Sequence, residues 1–216
     1  FTWEIDTIGI YGSYLNDVAI IDENNIWVVG MIKMPDPDSS FNGTGREIFN
    51  AAHWDGNEWE LILINDHRAD FDAVFVFNEN EIWFSSGCFI YFYDGETFDK
   101  KWECDYETYG AGQVNEIWGN SSANLYFCGK RGKIVHYDGS EFQYMESGTD
   151  VDLLDIDGTL NGEHIFVVGW DDNFPAPCVV LEYTNETWNT IYYTEGSLSH
   201  NGNVGWAWGV GVMQDT

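Results

Sequence analysis

Apolar residues along this chain come in short runs separated by polar turns. Four runs share one form, an aliphatic residue, then an aromatic, then a stop near glycine: Ile26-Trp-Val-Val-Gly30, Ile82-Trp-Phe-Ser-Ser-Gly87, Leu125-Tyr-Phe-Cys-Gly129 and Ile165-Phe-Val-Val-Gly169. A polar turn precedes each (Asp22 to Asn25, Asn78 to Glu81, Ser121 to Asn124, Asn161 to His164). Before the turn stands another strand-like run, at Leu15–Ile20, Phe71–Val76, Val114–Gly119 and Leu153–Asp157. Short runs rich in β-branched and aromatic residues, bounded by turns, predict strands, and no long segment keeps a 3.6-residue apolar period. The chain therefore reads as all-β.

Downstream of each glycine-terminated run lies a third repeated element. It reads His53-Trp-Asp-Gly-Asn-Glu-Trp59, Phe92-Tyr-Asp-Gly-Glu-Thr-Phe98, His136-Tyr-Asp-Gly-Ser-Glu-Phe142 and Glu182-Tyr-Thr-Asn-Glu-Thr-Trp188. Aromatic residues flanking Asp-Gly predict a β-hairpin, because Asp-Gly tolerates the positive φ angles of a tight turn. From Asp55 to Asp94, Asp138 and Thr184 the steps are 39, 44 and 46 residues, a period that belongs to solenoids and propeller blades. Each repeat holds four strands, here called a to d, which describes a β-propeller of four-stranded antiparallel blades. A β-sandwich accounts for the strand density but leaves the repeated hairpin unexplained. In this register Trp27, Trp83, Tyr126 and Phe166 are expected to be buried between blades.

The ends extend the pattern into partial blades. Phe1-Thr-Trp-Glu-Ile5 matches a strand d, and Val204-Gly-Trp-Ala-Trp-Gly209 matches the strand a at Val114–Gly119. Four complete blades with a partial blade at each end make either a five-bladed ring, with about 20 to 30 residues to follow Thr216, or an arc of a larger ring. Residues 1–216 are expected to form one domain, a fragment of a longer chain.

Composition narrows the partners. Eight basic against 37 acidic residues give a net charge of −29, which opposes encounter with nucleic acid or an anionic membrane surface. No apolar run is long enough to span a membrane as a helix. The four cysteines show no zinc-ligand spacing. Folding the hairpin at Asp94-Gly95 sets residue 88 roughly opposite 103, so Cys88 and Cys104 are either a cross-strand disulfide with one bulged residue or two buried thiols. Cys128 and Cys178 fall in different repeats and read as buried and free.

The pattern Ile-Trp-Val-Val-Gly followed by His-Tyr-Asp-Gly-x-x-Phe resembles the repeats of secreted bacterial β-propellers, and its c–d hairpin is similar to Asp-box and tectonin-type hairpins. The resemblance covers Phe1 to Gly209 and implies fold more than activity. The Ser-x-Asp-x-Gly-x-Thr-Trp form of the Asp-box is absent, and so is the Gly-His to Trp-Asp pairing of WD repeats. Both a sialidase and an intracellular scaffold thereby lose support.

Blade geometry sends the a–b and c–d turns to one face and the b–c and d–a connections to the other. Length variation falls on the second face, at Met31–Asn50 and Trp170–Pro177, and long loops on a rigid scaffold are where binding resides. Six of the eight basic residues, Lys33, Arg46, Arg68, Lys130, Arg131 and Lys133, fall on or beside that face. The expected anionic anchors are Arg46, Arg68 and Arg131, with Trp170 as a stacking platform and His67 and His200 as further site residues. Asp36, Asp38, Asp171 and Asp172 supply hard oxygen ligands suited to calcium. His53 and His136 occupy matched strand-c positions and read as structural; no nucleophile elbow or phosphate-cradling loop occurs. The functional expectation is an extracellular or envelope-associated binding or assembly module whose partner is a protein or glycan, anionic in part. The alternatives are a glycan-cleaving propeller enzyme and a passive structural domain of a larger surface protein.

Overall fold

A computed structural model describes residues 5–36, 46–66, 68–105, 113–171, 177–194 and 209–212. Sixteen strands are present among them. The first sheet holds β1 (Tyr14–Asp22), β2 (Asn25–Pro35), β3 (Arg46–Trp54) and β4 (Trp59–Ile62). The second holds β5 (Ala73–Asn78), β6 (Glu81–Ser86), β7 (Phe89–Tyr93) and β8 (Phe98–Glu103). The third holds β9 (Val114–Ser121), β10 (Asn124–Gly129), β11 (Ile134–Tyr137) and β12 (Phe142–Met145), and the fourth β13 (Leu153–Gly158), β14 (Ile165–Trp170), β15 (Cys178–Thr184) and β16 (Thr187–Thr194). Each is a four-stranded meander in chain order, so strands a to d of every repeat fall where the apolar runs place them. The chain divides into two compact units, Phe1–Ser86 with Tyr91–Asp99, and Gly87–Ile90 with Lys100–Thr216.

The b strands carry the apolar runs because they are buried on both faces. In β2, Trp27 to Gly30 are all buried, and β6 and β10 show the same unbroken burial. Of the four aromatics expected inside, Trp27, Trp83 and Tyr126 are 3–4% exposed. Phe166 departs from the expectation. It is half-buried, with the His164 ring lying parallel to it at 6.4 Å, so a neighbouring imidazole supplies part of its cover.

Strand a carries a bulge near its start in the first, third and fourth sheets, between Leu15 and Asp17, Val114 and Glu116, and Leu153 and Asp155. A bulge leaves one residue outside the ladder and re-aims its side chain. In the first unit the bulged Asn16 donates Nδ2 to Phe71 O at 2.8 Å, and in the second Asn115 donates to Leu153 O at 2.6 Å. Strand a of one sheet is thereby tied to the start of the next.

Three of the c–d hairpins use one device. Asp55, Asp94 and Asp138 each accept, through Oδ1, the backbone N–H groups two and three residues on, at 2.7–2.9 Å. The glycine after each takes φ of 91° to 95°. The fourth hairpin closes instead through the two-residue turn Asn185-Glu186, both at positive φ, the geometry of a type I′ turn.

The expected long b–c loop of the first sheet is largely strand. Ile32 pairs with Phe49, Lys33 with Ile48, Met34 with Glu47 and Pro35 with Arg46, because Ile32 is fully buried and packs with Phe49 against Val28 and Ala52. Residues 37–45 at its tip lie outside the described residues. The terminal strands expected at Phe1–Ile5 and Val204–Gly209 are likewise outside them except for Ile5 and Gly209.

Candidate functional site

In each antiparallel meander the b–c and d–a connections leave from one end. In the second unit that end carries a groove on the side expected from sequence. It begins with the turn Lys130–Gly132 after β10, where Arg131 adopts φ 58°. The turn is pinned from the next connection: Asp152 Oδ1 accepts the Arg131 N–H at 2.8 Å, and Gly132 N–H donates to Val151 O at 2.8 Å. These bonds hold Arg131 exposed with Lys133 half-buried two residues on. Burial, and then the neighbouring Arg131 charge, push the Lys133 ammonium below its usual range.

Opposite the two cations runs the turn after β12. Ser147 Oγ donates to Thr149 O at 3.2 Å and accepts the Thr149 N–H at 3.4 Å. Together with Tyr144 these residues bound a groove of about 290 Å³. Past Gly148, Thr149 and Asp150 it adjoins a second hollow of about 410 Å³ whose far wall is Asp171, Pro177 and Tyr193. The pair forms an open trough: Arg131 and Lys133 stand at one end, where Glu146 and Asp150 also line the groove, and Asp171 stands at the other.

The remaining expected residues distribute as follows. In the first unit Arg46 opens β3 and Lys33 faces it near Gly12, where Lys33 Nζ donates to Gly12 O at 2.7 Å; a Cβ placed on Gly12 would stand 4.0 Å from Arg46 Nη1. Arg68 is exposed beyond the turn Ile64–Asp66. Trp170 is half-buried at the end of β14, paired with Cys178, and Asp171 beside it lines the second hollow. Asp36 ends the described part of the first b–c hairpin. His67, His200, Asp38 and Asp172 lie outside the described residues. Among the described residues no three His, Cys, Asp or Glu side chains converge in the manner of a metal site. Cys88 and Cys104 are joined by a disulfide with Cα atoms 5.4 Å apart, and Cys104 N–H donates to Cys88 O at 3.1 Å. Cys128 and Cys178 are buried free thiols.

Sequence reasoning did not single out Tyr144, Ser147 or Thr149, which shape the groove. Their only signal was position, at the close of a strand d and in the d–a connection opposite a basic b–c turn. At the other end of the sheets, His53 Nε2 meets Asn25 Oδ1 at 2.9 Å and His136 Nε2 meets Asn124 Oδ1 at 2.8 Å. Each imidazole stacks at 4.5 Å on the strand-b aromatic, Trp27 or Tyr126, a repeated brace between strands b and c.

Repeated four-stranded antiparallel meanders of this kind define a β-propeller protein, and comparison with solved structures agrees. No family model matches the chain and no curated protein matches its sequence. A structure described as YCF48 bound to D1 peptide superposes with a TM-score of 0.51 at 14% identity, over 88% of this chain and 69% of that one. YCF48 from Cyanidioschyzon merolae gives 0.52 at 12% identity over 82% of this chain and 56% of that one. The tricorn protease gives 0.55 at 14% identity over 91% of this chain but only 18% of its own. At such identities the likeness shows the fold alone.

Proposed function

We propose that this chain is a binding module that takes an extended, acid-bearing segment of a partner protein in the trough of its second unit. The observation that carries the reading is the convergence of Arg131 and Lys133 on one groove wall in a chain of net charge −29. An arginine offers a planar fork of donors matched to a carboxylate. A partly buried lysine beside it gains from an anion that relieves the mutual repulsion of the two cations. The adjoining hollow, with Tyr193 at 51% exposure, gives the rest of the segment an aromatic surface to lie against. That a solved propeller of the same fold is described as bound to a peptide supports a protein partner. An extracellular or envelope location is supported by the Cys88–Cys104 disulfide, since such bonds persist in oxidising compartments.

The test is a fluorescence-polarisation titration with a labelled peptide of alternating glycine and glutamate. Binding is expected to weaken roughly tenfold or more in Arg131→Glu, and with a glutamine-for-glutamate peptide. Equal affinity of the charged and neutral peptides, or an unaffected Arg131→Glu variant, removes the reading.

A further inference from the structure

The first unit carries a second cleft of opposite character. It opens at the end of the a–b and c–d turns and encloses about 360 Å³, within the range of sites that take up small ligands or peptide side chains. Its floor is aromatic: Trp27, 4% exposed, stacks on His53 at 4.5 Å and meets Tyr93 at 5.5 Å, while Tyr93 stacks on Phe98 at 4.5 Å. Its rim is acidic, with Glu60 from β4, Glu79 from the β5–β6 turn and Glu96 from the β7–β8 turn, and no lysine or arginine lines it.

Two of these carboxylates act on the rings of the floor. Glu60 acts electrostatically on both His53 and Tyr93, and Glu96 acts on Tyr93 as well. The only other basic group in the lining, His53, spends Nε2 on Asn25 and is held below its usual range, chiefly by burial, so it brings no positive charge at neutral pH. The acidity is not imposed by the repeat. Glu60 pairs with His53 across β3 and β4, whereas Gln143 pairs with His136 at the matching place in the third sheet. The brace is common to both sheets; the carboxylate is particular to the first.

We infer that this cleft receives a lysine or arginine side chain from a basic segment of a partner protein, the cation lying against the half-buried Tyr93 ring above the Trp27 floor and its N–H groups donating to Glu60, Glu79 and Glu96. A cation over a desolvated ring is attracted by the ring quadrupole, and carboxylates at the rim complete its donors. The cleft is separate from the Arg131 groove and selects the opposite charge, so either site stands without the other.

The discriminating experiment is a polarisation titration with a labelled peptide of alternating glycine and arginine at physiological ionic strength. Two triple variants are compared: Glu60→Gln, Glu79→Gln, Glu96→Gln in the cleft, and Glu141→Gln, Glu163→Gln, Glu186→Gln on turns of the second unit. Both remove the same charge with isosteric, solvent-facing side chains, so folding is preserved. The cleft variant is expected to weaken binding roughly tenfold and the control less than about twofold. Equal weakening in both shows attraction to overall acidity and overturns the inference. So does the absence of measurable binding to the unaltered protein, or displacement of the peptide by spermidine at equal concentration, which would identify a free polyamine as the occupant.

Discussion

The Ser86 hydroxyl donates to the Asp70 carbonyl at 2.6 Å, at a place where each of the other three sheets has a glycine. Gly30, Gly129 and Gly169 occupy the same position in β2, β10 and β14, and a Cβ on any of them would run into the carbonyl oxygen of Tyr14, Gln113 or Asp152. These carbonyls correspond to that of Asp70, each lying one residue before the apolar residue that opens the repeated strand-a run: Leu15, Val114, Leu153 and Phe71. Crossing backbones select glycine in three sheets, and serine in the second turns the same proximity into a hydrogen bond. Gly129→Ala should destabilise the fold by about 1–3 kcal/mol, as overpacking does. Ser86→Gly, which loses one hydrogen bond, should cost about 1 kcal/mol. Urea denaturation measures both; a neutral Gly129→Ala would mean that the carbonyl contact is not what excludes a side chain.

A second prediction concerns the carboxylates of β13. Asp155 Oδ2 accepts the Val210 N–H and Asp157 Oδ2 the Val212 N–H, both at 2.6 Å. In the first unit Asp17 does the same for Val74 at 2.8 Å. One aspartate position of strand a thus serves to hold the backbone alongside it. A hydrogen bond to a charged group contributes about 1.5–3 kcal/mol, so Asp155→Ala should raise the exchange rate of the Val210 amide by roughly tenfold or more. Unchanged exchange at Val210 would show that the segment 209–212 is held by other contacts.

The disulfide gives a third. Cys88 and Cys104 are 16 residues apart, and closing a loop of that length stabilises by about 3 kcal/mol in the chain-entropy model. The double variant Cys88→Ser, Cys104→Ser should lose about that much by denaturant titration. Cys128 and Cys178, both buried, should remain unreactive to a thiol reagent until the protein unfolds, burial having pushed the Cys128 thiol well up. Thiol labelling of the native oxidised protein would contradict their placement.

Much of the fold was legible because its signals are periodic. The Ile-Trp-Val-Val pattern marks β2 as a strand buried on both faces, and Asp55, Asp94 and Asp138 mark hairpins through a cap that needs only local geometry. The glycine column was legible in three repeats but misplaced by one residue in the second, where Ser86 stands in line and Gly87 follows. The b–c segment Met31–Asn50 read as a loop because its prolines and polar tip conceal the pairing of Ile32 with Phe49, which depends on burial against Val28 and Ala52. The site was less legible. Arg131 could be placed on a connection, but the groove facing it is made by Ser147 and Thr149, whose partners lie across the sheet end. The acidic cleft was missed because Glu60 looks like any solvent-facing residue of a strand d until the next hairpin brings Tyr93 and Glu96 up to it.

The final prediction is a two-stage loss of stability in acid. Burial, against weaker opposing contributions from nearby carboxylates, holds the His53 and His136 imidazoles below their usual range. Their protons therefore bind more readily in the unfolded chain, and the stability they confer is present above about pH 6.5 and declines as the pH falls below it. Asp55, Asp94 and Asp138 are held below the usual carboxylate range by the backbone N–H groups of their turns. Their contribution is present above about pH 4 and is lost as the pH falls through that region. Asp155 runs the other way: burial raises its carboxyl, so it favours the folded state more once protonated and partly offsets the second stage. Because acid also relieves the repulsion of a chain with net charge −29, the comparison must be between variants. Denaturation midpoints at neutral, mildly acid and strongly acid pH should show the first stage flattened in His53→Gln, His136→Gln. The second should be flattened in Asp55→Asn, Asp94→Asn, Asp138→Asn. If the histidine pair leaves the first stage unchanged, the half-buried braces on Asn25 and Asn124 are not what sets the pH response.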